Sequence, residues 1–133
     1  MTARRLPSGG STIDRSRPIS FTFDGAEVPA FEGDTIASAL LANDVVGGFR
    51  SPILGRPRGL FSAGTEEPNA FVEISEPWFE PIVAATMVDV VDGMAVRSRP
   101  GVGRLRASPE SRPLEHRHAH VELLVVGSGH DGF

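Results

Sequence analysis

Ile19-Ser20-Phe21-Thr22-Phe23-Asp24-Gly25-Ala26-Glu27-Val28-Pro29-Ala30-Phe31 is the stretch on which the fold turns. Ile19, Phe21 and Phe23 alternate with Ser20 and Thr22, so their side chains share one face of an extended chain. Asp24-Gly25 then supplies the strongest short signal for a two-residue turn. The stretch is predicted to be a β-hairpin. Glu32-Gly33-Asp34 ends it, and Asp34 or Thr35 can cap a short helix. Ala37, Leu40 and Leu41 stand at i, i+3, i+4 spacing on one side of that helix, which closes near Asn43.

Beyond the helix, residues 44–69 have little periodicity and much Gly, Pro and Arg. A stretch of this length exceeds an ordinary connection, and such loops are usually functional or disordered. Ala70, Val72 and Ile74 alternate with Phe71 and Glu73 as a strand. Thr86, Val88 and Val90 repeat the pattern, and Asp92-Gly93 turns the chain into Met94 to Arg97, predicting a second hairpin. The order hairpin, helix, irregular loop, strand, hairpin suits a small mixed sheet with one helix across its face. This is an α+β domain of the β-grasp kind.

The whole chain has 133 residues, enough for one domain core without a disulfide or metal staple. Seventeen acids against 13 arginines give net charge −4, which argues against nucleic acid as the main partner. There is no Cys, which removes disulfides, thiolate zinc sites, a Cys nucleophile and an all-Cys iron–sulfur cluster. There is no Lys either, so no Walker lysine and no Schiff base. The wholly apolar runs, such as Leu123 to Val126, are too short to span a bilayer. Arg4-Arg5 invites a twin-arginine export reading, but residues 6–17 lack an apolar signal core, so a cytoplasmic protein is expected.

Residues 1–17 read as a loose leader and 18–98 as the domain. Residues 99–120 read as a linker, within a tether in which Arg97 to Arg117 hold six Arg against two acids. Residues 66–92 are the reverse, with seven acids and no Arg, so the tether is expected to lie over this acidic face or to meet a partner subunit. Val121-Glu122-Leu123-Leu124-Val125-Val126 is a β-rich run that enters Gly127-Ser128-Gly129-His130-Asp131-Gly132-Phe133. Gly127, Gly129 and Gly132 have G-x-G-x-x-G spacing after an apolar strand, the upstream context of a dinucleotide site. The helix and acidic ribose contact that complete such a site do not follow, so residues 121–133 read as a truncated start that does not hold a nucleotide.

Other candidates are weaker. His116, His118 and His120 would point to one side of an extended strand and can bind zinc or nickel there, but solvated histidines are the default. Arg56-Pro57-Arg58-Gly59 offers two guanidinium forks to a phosphate or carboxylate, or is pinned by Glu66 and Glu67. Ser51 and Ser62 lie in loops, neither in a nucleophile elbow, and no catalytic set is assigned.

Several runs are familiar together: Ile13-Asp14-Arg15, Phe21-Thr22-Phe23-Asp24-Gly25, Phe31-Glu32-Gly33-Asp34-Thr35, Ala37 to Asn43, Arg56-Pro57-Arg58-Gly59, Phe61-Ser62-Ala63-Gly64 and Glu66-Glu67-Pro68-Asn69-Ala70. From residue 13 onward the chain resembles the N-terminal region of the alpha subunits of heterotetrameric sarcosine oxidases and related flavoprotein oxidases and dehydrogenases. The resemblance implies a [2Fe–2S] ferredoxin-type β-grasp domain followed by a Rossmann domain opening at Val121. Cluster-bearing relatives place thiolates at C-x4-C-x2-C with a fourth downstream. Aligned on Arg58-Gly59 and Phe71-Val72-Glu73, those positions fall on Ser62, Glu67 and Ala70, with Thr86 near the fourth. The resemblance therefore implies a scaffold without a cluster or any bound metal, inactive alone and serving structure or contact with the other oxidase subunits. For the full enzyme it implies oxidation of sarcosine to glycine with oxygen and tetrahydrofolate, with NAD, FAD and FMN as further cofactors. His130-Asp131 stands where the family has Pro-Ala in the glycine motif, adding bulk where a pyrophosphate would approach. A [2Fe–2S] electron-transfer protein and a free protein-interaction module are the alternatives.

Overall fold

The computed structural model describes residues 5–51, 53–99, 103 and 118–124. Seven strands and one helix occur among them: β1 (Asp14–Phe23), β2 (Ala26–Glu32), α1 (Ile36–Ala42), β3 (Phe49–Arg50), β4 (Pro57–Arg58), β5 (Phe71–Glu76), β6 (Glu80–Ala84) and β7 (Ala95–Ser98). Five strands form one sheet in the order β2-β1-β7-β5-β6, while β3 and β4 make a separate two-stranded ribbon. β7 runs parallel to β1, and the other pairs are antiparallel.

The β1–β2 hairpin follows the sequence reading. Asp24 and Gly25 both take positive φ, 50° and 84°, the pair of conformations that matches the twist of a tight hairpin. Phe21 faces Val28 and Ile19 faces Ala30 across the ladder, so the alternating residues of both strands reach the core together. Phe21, Phe23, Val28 and Ala30 are buried there with Ile36, Leu40, Ile74, Met94 and Val96.

Helix α1 is also where the pattern placed it, with Thr35 as its N-cap accepting from the Ser38 amide at 3.1 Å. Its buried face is Ile36, Ala37, Ala39 and Leu40, whereas Leu41 is 43% exposed. The apolar stripe is thus rotated towards Ile36 from the one the spacing predicts. Ile36 completes an i, i+4 pair with Leu40 beneath the sheet.

The predicted hairpin over residues 86–97 does not form. The first-turn amides of Ile36 and Ala37, which no helix can satisfy internally, donate to the carbonyls of Val88 and Ala85 at 2.9 Å each. Val90 N donates back to Asp34 O at 2.7 Å. The Val88 carbonyl and the Val90 amide are thus spent on the helix start and are not available to a ladder. Val90 and Thr86 are nonetheless buried, which is why they alternate. β5 pairs with β7 on one side and on the other with β6, which the sequence reading missed because Pro81 breaks the strand pattern. β6 is an edge strand, the place where a missing N–H is tolerated.

Residues 5–17, read from the sequence as part of a loose leader, contact the domain in the structure. β1 begins at Asp14, with a bulge between Asp14 and Pro18. Arg15 donates to the Gly9 carbonyl at 2.7 Å, and the Thr12 carbonyl lies where a Cβ on Gly33 would stand. Gly33 has φ +84°, so both the turn and this contact call for glycine. Arg5 anchors the segment by a two-pronged ion pair to buried Asp34, at 3.0 and 2.6 Å.

At the other end, Val121, Leu123 and Leu124 are exposed and residues 121–124 are not in a strand. A strand exists only as part of a ladder, and none of the described strands lies beside them. Val125, Val126, Gly127, Gly129, His130, Asp131 and Gly132 lie outside the described residues, as do His116 and most of the linker.

Candidate functional site

The irregular segment after α1 is held to the core at both ends. Phe49 of β3 is fully buried and meets the Phe23 ring edge-on, with centroids 6.2 Å apart and planes at 68°. Ala70, equally buried, leads into β5. Between the β3–β4 ribbon and Ala70 the chain has no regular ladder to satisfy its amides, and residues 59–70 wrap around a single side chain.

That side chain is Glu67. It is 2% exposed, and both carboxylate oxygens are engaged. Oε2 accepts from the amides of Phe61 at 2.8 Å and Ser62 at 2.6 Å; Oε1 accepts from Asn69 at 2.8 Å and Ala70 at 3.2 Å. Two successive amides at one end of the loop thus face two successive amides at the other across one carboxylate. Burial pushes the acid's pKa up, but the four N–H donors outweigh it and hold the carboxyl below its usual range. Thr86 reinforces the loop from below by donating its hydroxyl to the Gly64 carbonyl at 2.8 Å. A cavity of about 190 Å³ opens between the loop and α1, lined by Leu41, Leu60, Phe61, Ser62 and Thr86 among others. The Ser62 hydroxyl oxygen is buried without a hydrogen-bond partner among the described residues.

The structure therefore brings Ser62, Glu67, Ala70 and Thr86, the positions matched to cluster ligands, to one place. An iron–sulfur cluster does not fit there. Its irons take thiolates, and the chain contains no cysteine. Glu67, the one anionic group at these positions, points both oxygens at amide hydrogens, and Ala70 has no ligating atom.

Other expected sites are less organised. Arg56 and Arg58 are exposed, and neither is pinned by Glu66 or Glu67. The Glu67 carboxylate is consumed by backbone amides, so the predicted salt bridge has no acceptor on that side. His118 and His120 are exposed, and among the described residues no three His, Cys, Asp or Glu side chains gather as a metal site. The start of the basic tether does meet the acidic segment: Arg99 reaches buried Glu73 at 3.1 Å. Glu73 alternates with Val72 and Ile74 along its strand, and this cation covers it.

A five-stranded sheet and a two-stranded ribbon with one short helix and a long wrapped loop make up a 2Fe–2S ferredoxin-like domain. The family described as 2Fe-2S iron-sulfur cluster binding domain matches residues 16–101, and the chain belongs to it. Within that family the chain is similar to sarcosine oxidase subunit alpha. It is 40% identical over 129 residues to the subunit of Corynebacterium sp. (strain U-96), covering 94% of this chain and 13% of that one. It is 46% identical over 100 residues to the subunit of Rhizobium meliloti (strain 1021), covering 74% and 10%. The chain thus spans only a small fraction of these relatives. Among solved structures, L-proline dehydrogenase from P.horikoshii superposes with a TM-score of 0.53 at 25% identity, over 70% of this chain and 18% of that one.

Proposed function

We propose that this chain is the N-terminal part of the alpha subunit of a heterotetrameric sarcosine oxidase, a β-grasp domain that carries no cluster, is inactive alone and serves in assembly. The observation that supports this reading most is the Glu67 carboxylate lodged among four backbone amides in a cysteine-free chain. A loop closed in this way keeps its shape without iron. The similarity to sarcosine oxidase alpha subunits supports this reading, on which the whole enzyme demethylates sarcosine oxidatively to glycine with oxygen and tetrahydrofolate, using NAD, FAD and FMN bound elsewhere. On this reading Gly127, Gly129 and Gly132 open the NAD-binding domain, residues 99–120 link it to the ferredoxin-like domain of residues 18–98, and the assembly is cytoplasmic. No helix among the described residues is long and apolar enough to cross a membrane.

Contact surface suited to assembly is present. Ile53 and Leu54, beside the tip of the β3–β4 ribbon, are 92% and 65% exposed, and Phe61 on the cluster loop is 81% exposed. Large apolar side chains left in water are suited to cover by another polypeptide, which supports a role in assembly.

Two measurements test the reading. Anaerobic incubation of the chain with iron, sulfide and thiol is expected to leave no visible absorption bands after desalting; stable bands would revive the electron-transfer alternative. Co-expression with the remaining oxidase polypeptides is expected to give a complex containing this chain. Failure to co-purify, combined with capture of an unrelated partner, would favour the free interaction module.

A further inference from the structure

Glu67 differs from the other buried carboxylates in what neutralises it. Asp34 faces Arg5 and Glu73 faces Arg99, but none of the described arginines reaches Glu67. Among the described residues its charge is balanced by backbone dipoles alone. A carboxylate this deeply buried is kept ionised only where donors converge on it, since burial without them would favour the neutral acid. The donors come as two successive pairs, Phe61 with Ser62 and Asn69 with Ala70. Successive amides turned inward form a concavity that attracts anions, the same backbone device that receives phosphates and iron–sulfur clusters. The loop therefore carries the preference for a bound anion independently of the side chain that occupies it.

We propose that this ring of four amides is an anion site in its own right, which the chain fills with its own Glu67 carboxylate, and which a small free carboxylate such as formate enters when that side chain is removed. The proposal rests on the reading that the loop holds no cluster. It deepens that reading by assigning the cluster's place to an internal anion. The wrapped conformation of residues 59–70 then depends on negative charge at this point and not on metal. Glutamine cannot take over the role, because its amide nitrogen would bring two hydrogens against two of the donors.

The test uses the full chain with Glu67→Ala and Glu67→Gln, following thermal unfolding at neutral pH in excess sodium formate and in sodium chloride of equal ionic strength. Removal of the carboxylate is expected to lower Tm by about 10 °C or more. Formate is expected to recover part of that loss in Glu67→Ala, saturably, with chloride without effect. It should do nothing for Glu67→Gln, whose side chain still fills the space, or for the unaltered chain. A Glu67→Ala variant as stable as the parent, or formate acting equally on parent and variant, overturns the proposal. Hydrogen exchange on the unaltered chain gives a reading that does not depend on any variant folding. The amides of Phe61, Ser62, Asn69 and Ala70 are expected to be protected although the loop lies at the surface, and rapid exchange at all four overturns the proposal. Uptake of iron and sulfide by the parent chain would instead sink the cluster-free reading, a separate result from loss of formate rescue.

Discussion

Asp34 and Glu67 are both buried acids at the ends of turns, and they are satisfied in opposite ways. Asp34 sits where β2 gives way to α1, and its oxygens take two Arg5 nitrogens, the Ser38 hydroxyl at 2.7 Å and the Phe31 amide at 2.9 Å. Arg5 also lies over the Phe31 ring, 5.1 Å from its centroid. Among the described residues, Glu67 takes nothing but backbone amides from its own loop. The first carboxylate is a clasp between distant parts of the chain, and it depends on a side chain 29 residues away. The second is a keystone that depends on the course of the loop itself. A clasp can be undone by one substitution at either partner, whereas a keystone is lost only by changing the acid.

The comparison breaks first, and most severely, at Glu67. Glu67→Gln is expected to lower unfolding free energy by about 3 to 5 kcal/mol, because buried charged hydrogen bonds are lost and a misfit amide is left among amide donors. Equilibrium denaturation in urea measures it, and a loss below about 1 kcal/mol would mean that the loop relaxes around the change. Arg5→Met should cost less, about 2 kcal/mol, since Asp34 keeps the Ser38 and Phe31 donors and its cation was already partly in water. An Arg5→Met cost equal to that of Glu67→Gln would erase the distinction between clasp and keystone.

Acid sharpens the contrast. Burial raises the Asp34 carboxyl's pKa, but Arg5, Ser38 and Phe31 outweigh it and hold it below the ordinary range, and Glu67 is depressed likewise by its four amides. In the acid range the unfolded chain therefore binds more protons than the native one. The stabilisation is complete above the unfolded carboxylate pKa of about 4 and disappears as pH falls through the lower folded values. Denaturation midpoints measured from neutral pH down to acid should decline over that window in the parent. In Arg5→Met the decline should be shallower, because the Asp34 share is reduced while that of Glu67 persists. The smallest effect belongs to the helix cap beside the clasp: Thr35→Ala removes one acceptor from the Ser38 amide and is expected to cost about 1 kcal/mol by the same denaturation measurement.

Much of the hairpin and helix could be read before any coordinates, because there local pattern and tertiary packing agree. The alternation at Ile19, Phe21 and Phe23, the Asp24-Gly25 turn and the Thr35 cap each encode their own geometry within a few residues. The second half of the domain was harder. Thr86, Val88 and Val90 alternate as a strand does, yet the backbone of Val88 and Val90 is taken by the start of α1, and Pro81 concealed an edge strand that does exist. The Glu67 keystone had only a faint signal. Glu66-Glu67-Pro68 reads as solvated charge, and matching Glu67 to a cluster-ligand position marked the place without disclosing the role. Arg5 likewise reads as part of a polar leader, since nothing near it in the chain hints at Asp34.

What the sequence determined unaided is chemical inventory and short-range geometry: the absence of any thiolate for iron, the first hairpin and the capped helix. These depend on which atoms are present and on contacts a few residues apart. Only the tertiary structure decided that the amides of Phe61 and Ser62 meet those of Asn69 and Ala70 around one carboxylate, and that Arg5 closes on Asp34. Convergence of donors from separate stretches is a property of where the chain is folded back upon itself, and local pattern carries no record of it.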